Sequence, residues 1–324
     1  MSARPTPRRS NKAALHPRNR HQGQYDLDAL ASACPQLKPY IIRAADVSPT
    51  LDFADPQAVT ALNRALLTQQ YGIRDWAIPP GYLCPPVPGR ADYIHALADL
   101  LGESHDAKIP TGEQLVGLDI GTGANLIYPL LGRVEYQWRF VGADIDPAAL
   151  ANAAQILEAN PPLAAGIQLR LQADPTRLFS GVVSADERFD FTLCNPPFHA
   201  SRAQASEGSQ RKWRNLGKAG SAHQPALNFG GQHNELTCED GEAGFVARMI
   251  DESAAIAHQV FWFTTLLSKA ASLPALQARL QALPVHDLRV IPMAQGQKRS
   301  RLLAWTFLDK KQRRAWRRAR WNSC

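Results

Sequence analysis

The chain has 324 residues, 45% of them hydrophobic and 20% charged, which leaves room for two domains or one large domain with additions and excludes wholesale disorder. Its formal net charge of +7 is unevenly spread: residues 1–24 carry six Lys/Arg and residues 310–324 carry seven, neither segment holds an acid, and the body between them is left at −6. No run of about 18 apolar residues exists, which excludes a transmembrane helix, and the basic N-terminus leads into no apolar stretch of the secretory kind.

Clustered Lys and Arg at chain ends are the footprint of a polyanion partner, most simply nucleic acid, or else of two solubilising tails. Residues 1–24 read as an unstructured basic arm, and residues 25–54 as irregular and punctuated by proline. Asp55-Pro56 then opens a helix, because Asp caps and Pro suits the first helical position. Val59, Leu62, Leu66 and Leu67 give it one apolar face up to Tyr71-Gly72. The proline- and glycine-dense stretch 78–90 reads as a rigid connector. A second helix is expected from Arg90, with Tyr93, Ile94, Leu97, Leu100 and Leu101 on one side. These elements make an accessory, RNA-binding module over residues 25–105.

The rhythm changes near residue 115. Short apolar runs at 115–120, 140–144, 167–172, 189–194 and 259–265 read as strands, and 147–159, 243–257 and 272–283 as helices. This alternation predicts βαβ units in a parallel sheet covered on both faces. The final strands, 288–292 and 302–307, have no helix between them and are expected to pair as an antiparallel edge hairpin. Residues 199–242 show neither period. A stretch that long in a compact domain is usually functional or disordered, and its place after the strongest motif favours function. Cys34, Cys84, Cys194, Cys238 and Cys324 form no C-x-x-C pair, which argues against a zinc site or a disulfide framework and fits a reducing cytoplasm.

Three motifs carry chemistry. In L-V-G-L-D-I-G-T-G-A-N, residues 115–125, a strand ends at Asp119 and enters Gly121-x-Gly123. Such a loop receives NAD or S-adenosylmethionine in α/β sheets. Leu126 stands where the dinucleotide fingerprint has its third glycine. In F-V-G-A-D-I-D-P, residues 140–147, Asp144 falls at a strand end about 20 residues later, where an acid holds ribose hydroxyls. Asp146 is better suited to capping the helix at Pro147. In F-D-F-T-L-C-N-P-P-F, residues 189–198, Asn195 supplies an acceptor, Pro196-Pro197 stiffen a turn that directs a backbone carbonyl the same way, and Phe198 offers a stacking face. Two acceptors and a platform suit the exocyclic NH₂ of a base or an amide.

D-I-G-T-G and N-P-P-F together resemble the N6-adenine branch of the S-adenosylmethionine-dependent methyltransferases. The segments H-P-R-N-R (16–20), G-Y-L-C-P-P-V-P-G-R-A-D-Y-I-H (81–95), C-N-P-P-F-H-A-S (194–201), L-N-F-G-G-Q (227–232) and M-A-Q-G-Q-K-R-S-R (293–301) narrow the resemblance. They resemble the bacterial large-subunit ribosomal RNA adenine-N6 methyltransferase F family, itself similar to a eukaryotic small nuclear RNA adenine-N6 methyltransferase. The resemblance implies a Rossmann-like class I domain over residues 106–309, with a seven-stranded sheet. It implies methyl transfer from S-adenosylmethionine to an adenine of 23S rRNA, free or in a precursor of the large subunit, in the cytoplasm and without a metal.

Residue by residue, the resemblance implies that Arg90, Asp119, Gly121, Gly123, Asn125, Asp144, Thr176 and Asn195 serve the cofactor. Asn195, Pro196, Pro197 and Phe198 hold the adenine, and Asp144 stands where the eukaryotic relatives use Glu. Arg18, Arg20, Arg211, Lys212 and Arg214 are candidates for RNA. Residues 310–324 lie outside the resemblance and read as a basic tail, in which Trp316 and Trp321 could stack on RNA. The rival readings are a protein glutamine N5-methyltransferase and a non-catalytic RNA-binding protein on a methyltransferase fold.

Overall fold

The computed structural model describes residues 15–44, 47–197, 240–295 and 298–321. Phe198, most of the 199–242 stretch (Arg211, Lys212 and Arg214 included), Cys238 and Cys324 lie outside the described residues.

The chain starts with α1 (Leu27–Ala33), capped by Asp26, and a hairpin of β1 (Ile41–Ala44) and β2 (Val47–Leu51). Neither is expected from the sequence, because a seven-residue helix and strands of four and five residues carry too little period to read. The next helix, α2 (Pro56–Tyr71), lies where its caps predict. Asp55 accepts from the Gln57 N–H, and Gly72 closes the helix at φ +67°. Helix α3 (Val87–Glu103) begins three residues before the expected Arg90, since Pro88 needs no N–H donor in a first turn. Tyr93, Ile94, Leu97 and Leu101 are buried in one cluster with Leu130, Trp138 and Phe140, so α3 shares its core with the sheet.

That sheet has seven strands in the order β5-β4-β3-β6-β7-β9-β8. They are β3 (Val116–Ile120), β4 (Arg139–Asp144), β5 (Ile167–Leu171), β6 (Phe189–Cys194), β7 (Val260–Leu267), β8 (Asp287–Gln295) and β9 (Lys298–Thr306). The first five are parallel, and β8–β9 is the expected antiparallel hairpin, with β9 against β7. Helices α4 (Ile127–Tyr136), α5 (Pro147–Glu158), α6 (Pro161–Ala164), α7 (Gly241–Ser253) and α8 (Leu273–Gln281) fill the connections. Every residue of β6 and β7 is buried, as a central strand covered on both faces requires. From β3 the chain winds outward to β5, then returns to β6 on the other side of β3. The loops after β3 and β6 therefore part and leave a crevice at the C-terminal ends of the strands.

The structure corrects the reading of both chain ends. Residues 310–320 form helix α9 (Lys310–Arg320), opened by a reciprocal cap between Asp309 and Gln312. The Trp316 and Trp321 indole N–H groups each donate to Asp190 Oδ1 at 2.7 Å, and Trp321 packs on Phe261. Charge density alone hid this docking, because the anchoring acid lies more than a hundred residues away. The N-terminal arm is likewise bound from His16. The His16 N–H donates to Asp92, the Asn19 amide donates to the Pro88 carbonyl and to Asp92, and His21 bonds the Tyr71 hydroxyl at 3.0 Å.

Candidate active site

The crevice is walled by the ends of β3, β4 and β6, and roofed by Leu83, Pro85 and Arg90 of the N-terminal module. After β3 the backbone turns through left-handed φ values at Gly121 (+75°) and Gly123 (+64°). A Cβ at Gly121 would meet nothing within 4 Å, so backbone strain rather than lack of space calls for glycine there. Leu126 adopts φ +52° just before α4, a left-handed site held by a fully buried side chain.

Asp144 binds this turn to the end of β4. Its carboxylate accepts from the Gly123 N–H at 2.8 Å and the Asp146 N–H at 3.0 Å. Burial raises its pKa, and these backbone N–H groups oppose the rise. Asp146 caps α5 through the Ala148 N–H and accepts from the Tyr82 hydroxyl at 2.8 Å. The expected capping role thus takes Oδ1, and Tyr82 takes Oδ2. Asn125 lines the crevice, and its side-chain oxygen accepts from the Ile127 N–H at the start of α4.

Asp119 differs. It is 1% exposed, and neither carboxylate oxygen has a hydrogen-bond partner among the described residues. Burial, with the Asp144 charge adding to it, pushes its pKa up to about 7, against the neighbouring Thr122 hydroxyl and the charge of Arg90. A buried acceptor pair left open beside a glycine turn is complementary to a small cation such as an amino group.

At the end of β6, Asn195 Oδ1 accepts from Arg90 Nη1 at 3.0 Å, and the same nitrogen donates to the Tyr128 hydroxyl at 3.0 Å. The guanidinium also lies over the Tyr128 ring, 5.6 Å from its centre. Behind Asn195 the strand is fixed by Tyr93, whose hydroxyl meets Thr264 at 2.8 Å and accepts from the Cys194 N–H. The Cys194 thiol is buried and its pKa is pushed well up, so it is no nucleophile.

The structure brings Arg90, Gly121, Gly123, Asn125, Asp144, Asn195 and Pro197 to one crevice, while Asp119 is buried in β3 two residues before the turn and is not on the wall. Pro196 is described but is not on the wall. Thr176 is exposed, its hydroxyl donates to Asp174, and it is likewise absent from the wall, where Gln172, Pro175 and Leu178 stand instead. Tyr128, Ile145 and Gln172 were missed by the sequence reading, because no local pattern marks a lone side chain on a helix or strand end. Arg18 and Arg20 are engaged within the chain. Arg18 donates to Tyr136, the His95 carbonyl and Asp99, and Arg20 pairs with Glu135 at 2.8 Å. Among the described residues no group of three His, Cys, Asp or Glu could hold a metal ion, and no helix is long and apolar enough to cross a membrane.

A family model described as RNA methyltransferase matches residues 9–309. The Ribosomal RNA large subunit methyltransferase F of Pseudomonas paraeruginosa is 61% identical over 323 residues, covering 99% of this chain and 97% of its own. The protein of that name from Stutzerimonas stutzeri is 58% identical over 311 residues, covering 96% of this chain and 95% of its own. Among solved structures, the hMettl16 catalytic domain in complex with a MAT2A 3′UTR hairpin is similar with TM-score 0.75 and 31% identity, over 91% of this chain and 98% of that one. The N-terminal domain of human METTL16 in complex with SAH has TM-score 0.70 and 29% identity, over 91% and 99%.

Proposed function

The chain belongs to this RNA methyltransferase family and depends on S-adenosylmethionine, and from that premise we propose that it methylates N6 of one adenine in 23S ribosomal RNA, free or within a large-subunit precursor, in the cytoplasm. The observation that carries the reading is the crevice that holds Asn195, clamped by Arg90, beside the glycine turn that follows the buried Asp119.

The residues present fit the cofactor. Asp119 offers two open carboxylate oxygens to an ammonium group, and the Gly121–Gly123 turn lets a ligand approach the backbone. Arg90 keeps further N–H donors for a carboxylate, and Asp144 stands at the strand end for ribose hydroxyls. When bound, S-adenosylmethionine supplies an electrophilic methyl group.

The rest is positioning by the chain's own groups. Arg90 uses one lone pair of Asn195 Oδ1 and fixes the amide. The other lone pair remains for an N–H of the target amine. Pro196 and Pro197 stiffen the turn, so a neighbouring carbonyl holds a second N–H. Two acceptors favour the shift of that nitrogen towards a tetrahedral, nucleophilic geometry. No strong base is needed, since the proton leaves after the transfer. Catalysis then rests on orientation and preorganised dipoles, and the adenine must be unstacked to reach them, at a cost of a few kcal/mol.

The test is transfer of tritiated methyl groups to ribosomal RNA and to protein acceptors in parallel, followed by mapping of the modified base. Label on adenine N6 of the RNA is expected. Asn195→Ala should lower turnover by about 10²–10³ with the fold kept. Label in protein, or near-normal turnover by the variant, overturns the reading.

A further inference from the structure

The end of the sheet opposite the crevice carries a second concave site. Its walls come from the N-terminal ends of β3 to β6, and Arg139, Arg188 and Arg320 line it. The Arg139 and Arg188 guanidinium groups donate to backbone carbonyls, Arg139 to Glu113 and Arg188 to Ala185 and Glu187, and neither forms an ion pair among the described residues. Glu187, the acid on this wall, is held by Arg170.

Helix α9 runs into this concavity from the far edge of the sheet. Near its start Arg313 pairs with Asp287 at the head of β8, and at its end Arg320 pairs with Asp190 of β6. Its inward residues are thus committed. The outward row is not: Lys310, Lys311, Arg314 and Arg318 are exposed and form no ion pair among the described residues. Lys310, Arg314 and Arg318 stand at i, i+4 and i+8, one above another, about 6 Å apart along the axis. Like charges at that spacing weaken a helix, yet here the helix is fastened from below by two tryptophans and two arginines. The fastening holds a row of cations at a pitch close to that of successive phosphates on one strand.

We propose that the outward face of α9 and the arginine-lined cleft beyond it form one track for an RNA sugar–phosphate backbone, separate from the catalytic crevice. The five residue steps from Asp190 in β6 to Asn195 just beyond it put the two sites roughly 16 Å apart, a distance that one folded RNA spans. The track reads charge and not sequence. The proposal rests on the reading of RNA as substrate, but its test does not require methylation.

The probes are a fluorescein-labelled 20-nucleotide RNA of arbitrary sequence and a ribosomal RNA transcript that accepts methyl groups. Affinity is measured against salt for the parent, for Lys310→Gln/Arg314→Gln/Arg318→Gln, and for Arg139→Gln/Arg188→Gln. The helix variant touches no internal contact, so it should melt with the parent. The salt slope of log K should fall by about 0.7 for each lost contact on single-stranded RNA, near 2 for the triple variant. Affinity at low salt should drop at least tenfold for both RNAs. SAH affinity and turnover at saturating RNA should not move, while KM for the transcript rises. Exchange of these positions between Lys and Arg should restore the slope. If the slopes of both variants match the parent, the surface serves a protein or nothing, and the proposal falls. A reduced slope in a chain that methylates no RNA would keep the track and overturn the substrate.

Discussion

Asp119 and Asp190 sit on neighbouring strands of one sheet, both buried to 1% exposure or less, and they meet opposite fates. The Asp190 carboxylate accepts from the Val116 N–H, the Trp316 and Trp321 indoles and the Arg320 guanidinium. The Asp119 carboxylate accepts from nothing among the described residues. A buried charge with all its lone pairs engaged is structure; a buried acid left open costs stability and persists where a ligand completes it. The N-terminal ends of the strands are therefore finished by the chain itself, and on the proposed function the C-terminal ends are where the cofactor would finish them.

The widest gap between the two should appear in stability. Asp190→Ala leaves Arg320 and two indole donors without their acceptor, so about 3–5 kcal/mol should be lost. That is roughly 10 °C in thermal unfolding for a chain of this size. Asp119→Asn removes an unpaired buried carboxyl and should leave the ligand-free chain as stable as the parent, or more so. Scanning calorimetry of both variants without ligand decides. An equal fall in the two would show that Asp119 is also a structural acid.

Cofactor affinity should invert the ranking. Asp119→Asn should weaken SAH binding by about 2–5 kcal/mol, and Asp190 variants that stay folded should bind normally. The pH dependence follows from a carboxyl raised to about 7 by burial. Because the folded form holds this proton more tightly than the unfolded chain, stability falls as pH rises from about 4 to about 7 and is level above. Binding of an amino group needs the ionised form, so affinity should rise about tenfold per unit up to pH 7 and then level. Calorimetric titration in buffers of different ionisation enthalpy should register one proton released at pH 6. Affinity independent of pH between 5 and 7 would remove Asp119 from the amine site.

The same contrast explains what was legible in the sequence. Helix α2 with both its ends, the glycine turn, Asp144, Asn195 and the edge hairpin all announce themselves within ten residues, through caps, periods and strand-to-turn changes. Asp146 was separable from Asp144 because Pro147 follows it. Illegible were pairings across the chain: Arg18 with Asp99, Arg90 with Asn195, and α9 with Asp190. Residues 310–321 show seven cations and two tryptophans, and nothing local says that the tryptophans face a carboxylate. The resemblance places Thr176 at the cofactor, and in the structure its hydroxyl donates to Asp174.

The smallest effect sharpens the comparison most. Trp316→Phe keeps the ring against Phe261 and removes one donor from Asp190 Oδ1. Trp321 still donates to that oxygen at 2.7 Å, and the Val116 N–H still holds Oδ2 at 2.8 Å. A carboxylate this well supplied should lose only about 1–2 kcal/mol, near the value of one hydrogen bond to a charged group. The loss should be additive with a distant change in α2 and less than additive with Trp321→Phe, because the two indoles share one acceptor. Turnover and SAH affinity should not change. If Trp316→Phe costs as much as Asp190→Ala, the carboxylate is not redundantly held, and the N-terminal end of the sheet hangs on a single contact. A loss below 0.5 kcal/mol would mean that docking of α9 rests on Arg320 and Trp321 alone.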